Sequence, residues 1–174
     1  MEFTVTDTIR YPLEKVYAAM RDNLPELAAF YSNIERITLE SRDEKGPIVH
    51  QVAQWEAKAK LPGPLEKLVP LNGRRWKDVA TWDAGAHTVE WRITVPVFTE
   101  AVSVSGLNRF ATDGANTRMT INGRIVIDPK KLTGIPTILA KQFVPTIEKF
   151  VVSSVQKNLV EGNRGLERFL AGRA

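Results

Sequence analysis

The feature that most constrains this chain is a long stretch in which apolar and polar residues alternate one by one. Three segments between residues 49 and 127 keep this period clearly: VHQVAQWEAKA, HTVEWRITV and TRMTINGRIVI. Successive side chains of a β-strand point to opposite faces, so this alternation makes one face apolar and the other polar. The pattern is typical of an antiparallel sheet that is covered on one side and hydrated on the other.

Further strands are predicted before and between these three. The opening FTVTDTI alternates in the same way, while IERITLES, RWKDVATWD and AVSVSGLNRFA have the composition of strands. Turn sequences at DEKG, DAGA and TDGAN separate them. The sequence therefore predicts about seven strands.

Helical spacing appears near both ends of the chain. Pro12 suits the first position of a helix, and a second short helix follows with Asn23 as its cap. Towards the C-terminus an apolar stripe at helical spacing runs from Leu139 to Leu166. Pro145 lies inside this stripe, where we expect a kink, because an interior proline removes a backbone hydrogen bond.

The order of these elements predicts an α+β fold. One apolar sheet face needs a long element to cover it, and only the last helix is long enough. We expect a β-α-α-β6-α order in which a curved antiparallel sheet of about seven strands wraps around the C-terminal helix. A chain of 174 residues fits one domain, so we expect residues 1–174 to form a single unit.

Two segments carry a resemblance to a known superfamily. FTVTDTIRYPLEKVYAAMRD resembles the usual start of the START-like, or Bet v 1-like (SRPBCC), helix-grip superfamily, and FATDGANTRMTINGRIVID resembles its penultimate hairpin. LPGPLEKLVP is similar to the PRELI-like lipid-transfer branch. The resemblance covers essentially the whole chain and implies a START-like ligand-binding domain, with a cavity for lipids, sterols, polyketides or other apolar molecules. The superfamily also contains cyclases, hydrolases and chaperone regulators, so the fold alone does not decide the function.

Large side chains on the covered faces are the predicted ligand contacts, together with two amides. They are Trp55, Trp82, Trp91, Phe110, Met119, Phe143, Ile147, Phe150, Val151, Gln51 and Asn108. Small residues on the same faces, among them Ala53, Ala80, Gly106, Gly123 and Gly162, indicate either close packing or room for a ligand. An ordinary filled core is the alternative.

Four polar residues fall on the predicted inward phase: Gln51, Asp78, Asn108 and Asn158. Each could orient the head group of a ligand, because a buried polar group needs a partner. Each could equally bond to a neighbouring backbone group.

The connection KAKLPGPLEKLVPLNG is unusually apolar for a loop. As a gate or a membrane contact it would use Leu61, Leu65, Leu68, Val69 and Leu71, with lysines beside them for an anionic membrane surface. A short helix packed on the core is the alternative.

Composition and motifs exclude several classes of function. The chain has no cysteine and only two histidines, His50 and His87, so we expect no metal site. No nucleotide, dinucleotide or serine-hydrolase motif is present, so we expect no cofactor and find no catalytic signature. The net charge is +4, and the excess of basic residues lies in residues 130–174, where a solvated helix face explains it better than nucleic-acid binding. No segment has the pattern of a signal peptide or a membrane span, so we expect a cytoplasmic protein.

These observations favour a protein that binds a hydrophobic small molecule, with a lipid as the preferred ligand and transfer of that ligand as a further role. A polyketide cyclase or hydrolase that uses the same cavity is the second hypothesis, and it requires an inward acid or base. A protein-interaction module is the third.

Overall fold

The computed structural model describes residues 1–58, 75–94, 96, 100–131 and 137–173. In chain order its elements are β1 (Glu2–Ile9), α1 (Leu13–Asp22), α2 (Leu24–Leu27), a 3-10 turn (Ala28–Phe30), β2 (Ile34–Lys45), β3 (Ile48–Ala57), β4 (Arg75–Asp83), β5 (Thr88–Thr94), β6 (Val102–Asp113), β7 (Asn116–Ile127), a second 3-10 turn (Pro129–Lys131) and α3 (Thr137–Ala171). The predicted seven-stranded sheet and long C-terminal helix are confirmed. Pro145 lies within α3.

The seven strands form one antiparallel sheet in the order β1-β7-β6-β5-β4-β3-β2. Among the strands described, β1 and β7 are the neighbours that are not consecutive in the sequence, and they pair from Glu2↔Arg124 to Ile9↔Thr117. Two register shifts interrupt the pairing of β2 with β3. Such irregularities bend a strand and increase its twist, which helps a sheet to curve around a helix.

The apolar faces of the strands and helices meet in one main core. Ile9, Leu27 and Leu166 are fully buried in it, and Val16 and Tyr17 of α1 belong to the same cluster. The observed burial alternates along β7, where Met119, Ile121 and Ile125 are buried and Arg118 and Arg124 are exposed. The period of two in the sequence is therefore the period of burial in the sheet.

A charged cluster ties the C-terminal part of α3 to the first strand. Arg164 donates to Asp7 at 2.7 Å and to Glu167 at 2.6 Å, and Arg10 donates to Glu167 at 2.7 Å. Asn163 also donates to Asp7, at 2.9 Å. Burial alone would raise the pKa of Glu167, but the hydrogen bonds from Arg10 and the charge of Arg164 lower that pKa overall. The last helix is thereby held at a defined position over the sheet.

Two glycines in the middle of the sheet allow aromatic rings to lie against the backbone. Gly106 faces Trp91 across the β5–β6 pair, and Gly123 faces Phe3 across the β1–β7 pair. A Cβ atom at Gly106 would overlap the ring of Trp91, and one at Gly123 would overlap the ring of Phe3. At these two positions small size therefore serves close packing rather than room for a ligand.

Candidate ligand cavity

A cavity of about 290 Å³ lies between the concave face of the sheet and α3. Strands β3 to β7, the end of α1, α2 and the middle of α3 all contribute to its walls. Its volume is at the lower end of the range usual for small-molecule sites, about 300–1,000 Å³. Ala53, Ala80 and Gly162 border it, so the small residues at these positions do leave space.

Six of the predicted ligand contacts border this cavity. They are Gln51, Trp55, Trp82, Trp91, Asn108 and Met119. The side chains of Phe143, Ile147, Phe150 and Val151 lie outside the described part of the structure, as do the predicted gate residues Leu61, Leu65, Leu68, Val69 and Leu71. The predictions for those nine residues stay predictions.

Phe110 differs from its predicted position on the cavity wall. Its ring packs edge-on against Tyr17 of α1, with the ring centroids 5.4 Å apart, and lies beside Trp82 at 6.4 Å. It is 5% exposed and belongs to the main core. The alternation along the strand correctly predicted that Phe110 points inward. Because α1 covers that part of the sheet, Phe110 packs in the core and does not border the cavity.

Three stacked aromatic rings border the cavity. Tyr31 and Trp55 have centroids 6.4 Å apart and planes 6° apart, and Trp55 stacks on Trp76 at 5.8 Å. Burial raises the pKa of Tyr31, so its hydroxyl is neutral at physiological pH. The stack offers a flat apolar wall to a ligand.

Three amides on the wall are already held by neighbours. Asn108 accepts a hydrogen bond from Trp91 Nε1 at 2.7 Å, and Asn158 accepts one from Asn33 at 2.7 Å. Gln51 donates from Nε2 to the backbone carbonyl of Arg21 at 2.7 Å. These contacts fix the orientation of the amides from one side.

Four buried side-chain polar atoms have no hydrogen-bond partner within the described residues. They are Gln51 Oε1, Trp55 Nε1, Asp78 Oδ1 and Trp82 Nε1. All four residues border the cavity. Buried polar atoms are nearly always paired, and leaving one unpaired costs about 1–3 kcal/mol. Because all four lie on the same wall, they indicate that a ligand or water in the cavity supplies their hydrogen-bond partners.

Asp78 is the most unusual of the four. It lies on the inward face of β4 between Trp76 and Ala80, opposite Ala53 of β3 and Ile93 of β5. Burial among these apolar neighbours raises its pKa to about 7, because the charged form of a carboxyl loses hydration there. The alternation in RWKDVATWD already indicated its inward phase, but its apolar surroundings come from strands that are separate in sequence.

The cavity differs from two other depressions on the described surface. One, of about 530 Å³, lies at Arg10, Arg164 and Glu167, whose charges already pair with one another. The other, of about 790 Å³, crosses the outer face of the sheet, where Glu90 and Arg124 are exposed. Neither has the apolar walls and unpaired polar atoms found under α3.

The two histidines have ordinary surroundings. His87 occupies a turn with φ 49° and its Nε2 lies 2.8 Å from a Glu14 carboxylate oxygen, while His50 contacts Thr81 at the surface. Within the described residues there is no group of three or more His, Cys, Asp or Glu that could hold a metal ion. Among the helices that the structure describes, none has the length and apolar character needed to cross a membrane.

Comparison with known proteins places the chain in a family. A family model described as "Polyketide cyclase / dehydrase and lipid transport" matches residues 1–167. The chain belongs to this family. No curated protein matches its sequence.

Solved structures agree on the helix-grip fold. The protein TTHA0849 of Thermus thermophilus superposes with a TM-score of 0.68 at 21% identity, and the match covers 100% of both chains. The Zhui aromatase/cyclase of Streptomyces sp. R1128 has a TM-score of 0.63 at 14% identity, covering 99% of this chain and 94% of that one. Ara h 8.0201 has a TM-score of 0.61 at 14% identity, covering 99% and 98%. At these identities the likeness shows the fold alone, and it confirms the predicted Bet v 1-like architecture.

Proposed function

We propose that this protein binds a hydrophobic small molecule in the cavity under α3 and carries it, with a lipid as the preferred class. The observation that supports this most is the coincidence of an apolar cavity with four unpaired polar atoms on its wall. A filled core would be expected to bury these atoms with partners. Membership of a family described by both polyketide cyclisation and lipid transport is consistent with an apolar ligand.

The proposed ligand has an apolar body and a polar head. The stacked rings of Tyr31, Trp55 and Trp76 would contact the body, and the free polar atoms of Gln51 and Asp78 would contact the head. The volume of about 290 Å³ suits one chain or a small fused-ring system rather than a lipid with two long chains. The predicted roles of Leu61 to Leu71 as a gate, and as a contact with an anionic membrane, remain part of the proposal.

Two neighbouring residues on opposite faces of β4 provide a matched test. Ala80 borders the cavity, whereas the side chain of Val79 is 44% exposed on the outer face. Ala80→Phe would place a ring in the cavity, and Val79→Phe would place one in solvent. Native mass spectrometry of the recombinant protein, after incubation with lipid vesicles, should show a bound apolar molecule in the wild type and in Val79→Phe but not in Ala80→Phe. A wild-type protein that stays empty would defeat the proposal.

Transfer is a separate part of the proposal and needs its own measurement. The protein should speed the movement of a fluorescent single-chain lipid from donor to acceptor vesicles, and Ala80→Phe should not. Replacing Leu65 and Leu68 by aspartate should slow transfer and leave the amount of bound ligand unchanged, if the loop acts as a gate or membrane contact. Equal transfer with and without the protein would restrict the function to binding.

A cyclase-like enzyme is the second candidate, and Asp78 is the observation that favours it. A carboxyl with a pKa of about 7 inside an apolar cavity can serve as a general acid or base near neutral pH. Incubation with a poly-β-ketone thioester should then yield cyclised product, detected by mass spectrometry and absorbance. Asp78→Asn should abolish this product and retain binding of an apolar ligand, whereas a product unaffected by Asp78→Asn would remove Asp78 from that role.

A further inference from the structure

The described wall of the cavity carries an acidic side chain but no basic one. Among the described residues that border it, Asp78 and Tyr31 are the ones that titrate, and no lysine, arginine or histidine is present. Behind the wall, the backbone carbonyl of Arg21 accepts from Gln51 and, at 3.3 Å, from the guanidinium of Arg42, and both guanidinium groups pair with Asp22 at 2.8 Å. An anionic head group would therefore meet a carboxyl with no described cation to offset it.

Two unpaired acceptors lie close together on this wall. Gln51 pairs with Ala80 in register and Ala53 pairs with Asp78, so Gln51 and Asp78 are diagonal neighbours on the same face of β3 and β4. The Cα atoms of diagonal neighbours on a sheet are about 7–8 Å apart, so two long side chains on the same face can reach towards one ligand group between them. Both Asp78 Oδ1 and Gln51 Oε1 are buried without a partner in the described structure.

The acceptor role of Gln51 is determined by its other contact. Its amide group lies 2.7 Å from the carbonyl oxygen of Arg21, which can only accept a hydrogen bond. The amide nitrogen must therefore face Arg21, and the oxygen must be the atom without a partner. A ligand group beside Gln51 Oε1 therefore has to supply a donor, whereas the unpaired indole N–H groups of Trp55 and Trp82 on the same wall would take an acceptor from another part of the ligand.

Two indole rings are neighbours of the two acceptors in the sheet. Trp76 is the next inward residue on β4 before Asp78, and it stacks on Trp55 of β3. Tryptophan is the aromatic residue that attracts cations most strongly, through the negative potential above its ring. A carboxylate, an amide oxygen and indole rings together form surroundings that favour a cation.

We propose that the cavity selects ligands that carry a protonated amine as the head group, held by Asp78 and Gln51 Oε1 with the apolar body against the aromatic stack. An ammonium group has three donors and no acceptor, which matches the two free acceptors. This inference rests on the proposed function, because it names the class of ligand for the same cavity.

Charge coupling gives this proposal a distinctive pH dependence. An amine binds best when Asp78 is ionised, so its affinity should fall as the pH falls through the pKa of that carboxyl. A neutral ligand of the same shape excludes water from Asp78 and favours the protonated form, so its affinity should rise over the same range. Tyr31, the other described titratable group on the wall, stays neutral throughout and adds no slope.

Isothermal titration with three matched probes tests the inference: naphthylethylamine, naphthylethanol and naphthylacetate. We expect the amine to bind best and the acid worst at about pH 8. Between about pH 8 and pH 6 the affinity for the amine should drop about tenfold, following the ionised fraction of a group with a pKa near 7. The affinity for the alcohol should stay level or increase.

Asp78→Asn, which preserves the shape of the side chain, should reduce the preference for amine over alcohol about tenfold or more and remove both pH slopes. Glu90→Gln is the control, because Glu90 is an exposed carboxylate on the outer face of the adjacent strand. Circular dichroism should show that both variants are folded. If a variant does not fold, the change of affinity with pH in the wild-type protein still tests the inference.

The possible failures can be told apart. Equal affinity for amine and alcohol with parallel pH slopes, or a preference for the acid, would overturn the amine inference and leave the cavity as a ligand site. If none of the three probes binds and the native protein also stays empty after incubation with lipid vesicles, the proposed function fails and this inference fails with it.

Discussion

At the scale of single residues, Asp78 is the residue whose surroundings suit it least. Its carboxyl is surrounded by apolar groups from three strands and has a buried oxygen without a described partner. A buried polar group without a partner lowers the free energy of unfolding. In natural proteins such destabilising groups are concentrated at functional sites. The neighbouring Gln51, Trp55 and Trp82 each leave a polar atom unpaired in the same place.

The raised pKa of Asp78 predicts how stability changes with pH. Because the folded state binds the proton more tightly than the unfolded state, the free energy of unfolding should fall as the pH rises from about 4 to 7 and level off above the folded pKa. The full effect is up to about 4 kcal/mol for a shift of this size. Asp78→Asn should lose this slope and be more stable than the wild type at about pH 7.5, as measured by urea denaturation.

Glu90→Gln provides the comparison for that measurement, because it removes an exposed carboxylate from the neighbouring strand. Its pH profile should follow that of the wild type. A wild-type protein that becomes more stable from pH 4 to 7, relative to Asp78→Asn, would contradict the assignment of a raised pKa.

At the scale of elements, the position of α3 depends on charges as well as on apolar packing. Arg164 reaches Asp7 and the carbonyl of Thr8 on β1 and also Glu167 on its own helix. The hydrogen-bonded contacts hold the helix at one end, close to the fully buried Leu166. The cavity borders the preceding turns of the same helix, where Val155, Leu159 and Gly162 line it.

Removing the central arginine should therefore destabilise the fold. Arg164→Met keeps much of the side-chain length but leaves Asp7 and the buried Glu167 without this partner, and we expect a loss of about 3 kcal/mol in the free energy of unfolding. Lys157→Met is the control, because Lys157 is 75% exposed and its ion pair with Glu161 is 3.9 Å long. That change should cost less than about 0.5 kcal/mol in the same denaturation experiment.

At the scale of the whole molecule, the sheet and the last helix enclose a space instead of interlocking completely. The core is filled where α1 and the C-terminal end of α3 meet the sheet, and the cavity opens beside it. Ligand binding should therefore be linked to global stability, because a ligand enclosed by both elements binds the folded state alone.

The linkage gives a quantitative expectation. A probe at one hundred times its dissociation constant should raise the free energy of unfolding by about 2.7 kcal/mol, seen as a higher melting temperature in calorimetry. Val79→Phe should show the same increase, since its new ring lies outside the cavity, and Ala80→Phe should show none. Stabilisation of Ala80→Phe equal to that of the wild type would place the ligand elsewhere.

Local pattern by itself determined the strand and helix types, the number of strands and the inward phase of most wall residues. The alternation in RWKDVATWD, for example, is enough to direct Trp76, Asp78 and Trp82 to one face of the sheet. This works because side-chain direction follows from backbone geometry, which has a period of two in a strand and 3.6 in a helix.

Only the tertiary structure decided which inward residues have partners and which have space. The sheet order places Phe3 over Gly123, about 120 positions away in sequence, and α1 covers Phe110 so that it joins the core. Asp78 lacks a described partner because Ala53 and Ile93, its neighbours across the sheet, have no polar side-chain atoms. Partners and cavities depend on contacts between segments far apart in the chain, and a local pattern contains no information about those contacts.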